Sequence, residues 1–205
     1  MRSARVTGSP AGAEASERRA ILDGERLAGN GIYLRLVELA DCGERYRTWL
    51  GDPEVNRFLE TRWAEHDDWA IREFVSAMRM SLSDYLFAIV EAGGGRHVGN
   101  IKLGAINWRH LHADISYFIG EHDAWGRGVA TEAIRVATRF AFERLGLHRV
   151  QAVVYADNSG SATALERAGY AREGVARLKV RIGDGWTDQL AYGMLRPESV
   201  SSDPA

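Results

Sequence analysis

The chain has one cysteine, Cys42, so it can form no intrachain disulfide and build no multi-cysteine metal site. That usage suits a reducing compartment, and the cytoplasm is the expected address. No apolar run approaches the roughly 18 residues that a membrane helix needs, so no membrane partner is expected. Met1 to Pro10 is basic but has no apolar h-region, so it does not read as a signal peptide. An excess of one charge is lacking too. There are 26 basic and 28 acidic residues, a net charge of −2, which removes the global basic field that nucleic-acid binding draws on. What remains is 205 residues, 45% hydrophobic, enough for one domain with a full core.

Residues 1–28 are rich in Ala, Ser, Gly, Glu and Arg with little apolar periodicity, and read as a mobile N-terminal extension. A single domain is expected over 29–197, with a disordered tail over 198–205. Ile32 to Val37 has strand composition, and Asp41 is placed to cap a helix carrying Tyr46, Trp49 and Leu50 on one face. A second helix is expected from about His66 to Met80, with Trp69, Ile71, Phe74, Val75 and Met78 near helical spacing. Tyr85–Val90, His97–Leu103 and Asp114–Gly120 read as antiparallel strands joined at Gly93-Gly94-Gly95 and at Asn107–His112. Then come a helix from Glu132 to Leu145, a buried strand from His148 to Ala156, a helix from Ala162 to Ala168, and a closing hairpin, Ala176–Ile182 with Thr187–Leu195. This is a mixed α/β fold with no internal repeat.

The segment Trp125-Gly126-Arg127-Gly128-Val129-Ala130-Thr131 joins the third of those strands to the following helix. A glycine-rich turn entering a helix N-terminus presents unpartnered backbone N–H groups, and the helix dipole adds positive charge there. Such a nest binds phosphate oxygens. A tight strand-to-helix turn would use the same two glycines. The third glycine of a dinucleotide fingerprint is missing, and no P-loop Lys-Ser/Thr follows.

These features in this order resemble the GCN5-related N-acetyltransferase superfamily: the Ile115–Gly120 strand, the Trp125–Ala133 segment, the strand from His148, and Asn158-Ser159-Gly160-Ser161 leading to Ala168-Gly169-Tyr170. The resemblance runs from about residue 30 to 196. In the family's loop pattern Trp125 stands where Gln or Arg is usual, while Gly128 and Ala130 fit, a departure shared with the branch that acetylates N-termini of ribosomal proteins. It implies a mostly antiparallel central sheet with splayed middle strands flanked by helices. It also implies acetyl-CoA as cosubstrate, with its phosphates on Arg127 to Thr131 and its pantetheine arm beside Phe118 and Ile119. In that setting Trp125 and Gly126 belong to the cofactor loop, Thr131 either holds phosphate or caps the helix, and Asn158 contacts the cofactor.

Acetyl transfer to an amine needs a base for the ammonium, a donor for the tetrahedral oxyanion, and an acid for the leaving thiolate. A backbone N–H near Tyr117–Ile119 is the candidate oxyanion donor. Many family members carry a tyrosine acid where this chain has Leu165, which rules that residue out. The resemblance gives the acid's place to Ser161, although Asn158 and Ser161 are also ordinary cap residues. For the base, Asp114 and Glu60 are rivals, and a low-pKa α-amine, at roughly 8, needs none. His110 and His112 near Asp114 fit no zinc spacing, so no metal is expected. The expected partner is a primary amine, chiefly a peptide N-terminal α-amine. An amino-sugar nucleotide is the alternative acceptor, and a non-catalytic acyl-CoA-binding domain the alternative to an enzyme. A homodimer through the closing hairpin is compatible with this reading.

Overall fold

The computed structural model describes residues 22–197. An eight-stranded sheet in the order β1-β2-β3-β4-β5-β6-β8-β7 forms its spine. The strands are β1 (Leu27–Ala28), β2 (Ile32–Leu36), β3 (Tyr85–Glu91), β4 (His97–Leu103), β5 (His112–Ile119), β6 (Arg149–Tyr155), β7 (Ala171–Ile182) and β8 (Gly185–Leu195). All neighbours run antiparallel except β5 and β6, which are parallel. Parallel neighbours need a crossover, and the helix α4 (Val129–Glu143) supplies it. The other helices are α1 (Glu44–Gly51), α2 (Pro53–Asn56), α3 (Asp68–Met80) and α5 (Ser159–Ala168).

Period-2 alternation in β3 builds two cores, one on each face of the sheet. Tyr85, Phe87 and Ile89 join the larger cluster with α4, through Ile134, Ala137 and Phe140. Leu86, Ala88 and Val90 join the smaller one with α1 and α3, through Tyr46, Trp49, Ile71 and Val75. Both faces are therefore covered around β3, as its unbroken apolar run requires.

Several sequence expectations need correction. Residues 22–28, assigned to the mobile extension, are ordered: Leu22 is buried, Leu27–Ala28 pairs with Leu34 and Tyr33, and Arg144 meets Glu25 at 3.0 Å. Two leucines in a polar stretch suffice to tie it to the core. The rest of that extension and the tail over 198–205 lie outside the described residues. Asp41 does not cap α1, whose N-cap is Gly43; its carboxylate is taken by Arg35 instead. In α3 only Ile71 and Val75 are buried, while Trp69 and Phe74 are exposed. Among the described residues no helix is long and apolar enough to cross a membrane.

Candidate active site

Strands β5 and β6 are hydrogen-bonded only from His112–Asp114 to Arg149–Gln151, and then diverge. The splay leaves backbone groups open. On the β4 side, Gly104 N donates to Asp114 O and Gly120 N to Val98 O, so the even-numbered residues of β5 bond to β4. The N–H groups of Tyr117 and Ile119 therefore face the gap toward β6.

The Gly-rich turn closes the upper end of this gap. Gly126 and Gly128 have φ of 72° and 80°, the left-handed region that glycine enters without penalty. Gly128 is the N-cap of α4 and offers no side chain to it. The first helical bond runs from Glu132 N to Gly128 O at 3.0 Å, so the N–H groups of residues 129–131 have no intrahelical acceptor. Thr131 is buried in the first turn and is not the cap, which corrects one of its two expected roles. Trp125 is half-exposed, and its Nε1 donates to Ile119 O at 2.9 Å, pinning the turn to the strand. Arg127 pairs with Glu91 at 3.1 Å, and with Arg135 and Arg167 it lines a 430 Å³ recess beside the turn.

A cleft of about 1140 Å³ joins these parts. Phe118, Ile119, Trp125, Gly126, Gly128, Val129, Ala130, Thr131, Asn158, Ser161 and Glu60 all line it, so the structure brings together nearly every residue singled out in the sequence. Arg127 and Asp114 are the exceptions: Arg127 lines the neighbouring recess, and Asp114 is exposed, on the part of β5 still paired with β6, and does not line the cleft. His110 and His112 stack at 6.4 Å, and no group of His, Cys, Asp and Glu among the described residues is arranged to hold a metal.

Asn158 caps α5 by accepting from Ser161 N at 3.1 Å. That cap turns the Ser161 hydroxyl toward β5, where its Oγ lies 2.7 Å from the Tyr117 hydroxyl. The sequence pointed to the Tyr117 backbone and not to its hydroxyl, whose partner is 44 residues away in sequence. Burial pushes the Tyr117 hydroxyl up to about 12, with the Ser161 hydrogen bond pulling the other way. Leu165, at the place of the family's tyrosine, is fully buried in the core.

Opposite, in the turn Glu60–Trp63, Glu60 Oε1 accepts from the Tyr155 hydroxyl at 2.5 Å, and Arg62 donates to that same hydroxyl at 2.9 Å. Burial and Glu60 both raise the Tyr155 hydroxyl above the ordinary tyrosine range, with Arg62 opposing them. Tyr155 thus fixes Glu60, one of three exposed glutamates that line the cleft; Glu54 lies 3.4 Å from His122 instead.

A sheet splayed at its middle strands, with an open helix N-terminus at the head of the gap, defines an acetyl-CoA-dependent N-acetyltransferase. Residues 32–171 match the acetyltransferase (GNAT) domain, and the chain belongs to that family. It is 34% identical over 184 residues to "Probable N-acetyltransferase YjcK" of Bacillus subtilis (strain 168), covering 84% of this chain and 98% of that one. Mycobacterium smegmatis RimJ in complex with CoA-disulfide shares the fold with a TM-score of 0.73 at 22% identity, over 83% of this chain and 86% of RimJ. Spermidine N-acetyltransferase from Vibrio cholerae, in complex with CoA and spermine, shares it with a TM-score of 0.71 at 20% identity, over 80% and 95%.

Proposed function

We propose that this enzyme acetylates a peptide N-terminal α-amine by direct attack on acetyl-CoA in a ternary complex. The observation that carries the proposal is the continuity of the cleft, from the open N–H groups of α4, past Ser161 and Tyr117, to Glu60. The cations Arg127, Arg135 and Arg167 beside the turn suit the charge of CoA phosphates. The acceptor end has apolar walls, Phe58, Leu59 and Phe74, around the fixed Glu60 carboxylate. Of the three glutamates lining the cleft, Glu60 is the one held by a tyrosine hydroxyl, a fixed seat for one ammonium.

In this reading Glu60 takes the proton of the incoming ammonium, directly or through water. The Tyr117 or Ile119 N–H stabilises the oxyanion formed when the amine nitrogen bonds to the thioester carbon. As the carbon–sulfur bond breaks, Ser161 Oγ–H protonates the departing sulfur, the Tyr117 hydroxyl returns a proton to Ser161, and the second proton shed by the attacking nitrogen restores Tyr117 through water in the cleft. CoA thiol release is the test, with peptides bearing free Ala, Ser or Thr N-termini, amino-sugar nucleotides and polyamines as acceptors. Turnover confined to peptides supports the proposal; turnover confined to either of the other classes refutes it.

A further inference from the structure

The acceptor side of the cleft holds a polar group that the reaction above leaves unused. Asn100, on β4, lines the cleft yet is only 2% exposed. Its Oδ1 lies 2.8 Å from His97 Nε2, which is also 3.0 Å from the Gly99 carbonyl oxygen. A carbonyl only accepts, so Nε2 carries the proton and donates to both oxygens. Burial holds His97 below the usual imidazole range, in keeping with a single ring proton. Behind it, His97 Nδ1 stands 3.7 Å from Asp41 Oδ1, and Arg35 clamps Asp41 through two bonds of 2.7 Å.

This chain fixes the sense of the Asn100 amide. With its oxygen committed to His97, its nitrogen turns the other way, and Nδ2 is buried without a hydrogen-bond partner. Tyr46 is the polar side chain beside it, near enough for the Asn100 amide to pull its hydroxyl down against burial, yet Nδ2 makes no bond to it of hydrogen-bond length and angle. A buried amide held so firmly and left unpaired is costly in a free enzyme, and a ligand oxygen removes the cost.

We propose that Asn100 Nδ2 is a specificity donor for a carbonyl oxygen next to the acceptor amine, and that His97 is the positioning residue behind it. The inference rests on the α-amine reading above and sharpens it. An α-amino residue carries such an oxygen two bonds from its amine carbon; a polyamine carries none.

The test compares alaninamide with isopropylamine, which differ by that carboxamide, using kcat/KM for CoA release. The ratio of the two in wild type is the reference, because the amines differ in basicity. Asn100→Leu is expected to lower the ratio by about 10- to 100-fold, because alaninamide turnover falls much further than isopropylamine turnover. His97→Leu should lower it similarly, whereas His97→Gln, which keeps a donor toward Asn100, should retain most of it. Equal losses on both amines would overturn the proposal, as would loss of the ratio in Tyr46→Phe, which would move the donor to Tyr46. A second readout needs no turnover. The Asn100 side-chain NH2 resonance should shift with alaninamide and not with isopropylamine, and an unmoved resonance at saturating alaninamide would overturn the inference. If peptides fail as substrates while the ratio and the shift stand, the peptide reading falls and the oxygen contact survives.

Discussion

The proton route to the leaving sulfur gives the sharpest prediction. Ser161→Ala removes the hydroxyl proposed to protonate the thiolate. General acids contribute about 10²- to 10⁴-fold. A thiolate whose parent thiol has a pKa near 8.5 needs little help, so the lower figure applies: a loss of about 10²-fold in kcat, or roughly 2.7 kcal/mol of barrier. Tyr117→Phe leaves Ser161 in place but removes the group 2.7 Å behind it. The expected loss is about 10-fold, with a stability cost of about 1 kcal/mol for one hydrogen bond.

The double variant separates a relay from two independent contributions. Independent effects would multiply to about 10³-fold; a relay that has already lost Ser161 gains nothing from Tyr117, so the double variant should stay near 10². CoA thiol release at saturating acetyl-CoA and acceptor measures kcat, and thermal melts of each variant check folding. Because burial pushes Tyr117 up to about 12, its proton is retained at any ordinary assay pH. The rate should therefore rise as the acceptor amine deprotonates through roughly pH 8 and then hold level to about pH 10. A Ser161→Ala enzyme within threefold of wild type, or a fully multiplicative double variant, would refute the relay.

Gly128→Ala forces a side chain to φ 80°, at about 1–2 kcal/mol, and should weaken acetyl-CoA binding measured by calorimetry while leaving the unliganded fold cooperative. Gly120→Ala would bring a Cβ within 2.2 Å of the Trp49 ring, so a stability loss of about 1–3 kcal/mol is expected in urea titrations. Asp41 supplies a pH dependence. Burial alone would raise its carboxyl, but Arg35 and the Glu38 N–H outweigh that and hold it below the usual carboxylate range. The contribution is therefore present above the unfolded value of about 3.9 and lost as pH falls through the lower folded value. The drop in stability between pH 6 and pH 3 should be smaller in Asp41→Asn, by no more than about 1.3 kcal/mol for an unfolded value of about 3.9, and the variant should itself be less stable than wild type at pH 6.

Elements whose signal is local were legible in the sequence. The β3, β4 and β5 strands, the glycine turn and α4 each announce themselves through periodicity or turn chemistry within about fifteen residues. Residues 22–28 were misassigned because a two-residue strand has no periodicity to read; only the partner Ile32–Leu36 makes Leu27–Ala28 a strand. Asp41 was misassigned for a related reason. An acid three residues before Glu44 satisfies the local rule for a cap, and the competing Arg35 becomes visible only once β2 and the turn at Leu39–Asp41 are folded together.

The site divides along the same line, and the division follows from what each part binds. A phosphate is held by consecutive backbone N–H groups, so the proposed site at Arg127 to Thr131 rests on a short glycine pattern in the local sequence. A proton or an acceptor group is handled by side chains converging from separate elements. Ser161 meets Tyr117 across the gap between α5 and β5, and Glu60 meets Tyr155 from a turn 95 residues earlier. Neither tyrosine has a local marker, since each looks like one more apolar residue in a strand. Leu165 sharpens the point: its absence of a hydroxyl said only where the acid is not, whereas the alternation of β5 and the cap at Asn158 decide which hydroxyl stands beside Ser161. In the proposed mechanism the proton transfers are accordingly carried by pairs of distant residues, and substitutions in either member should slow transfer without disturbing the phosphate end.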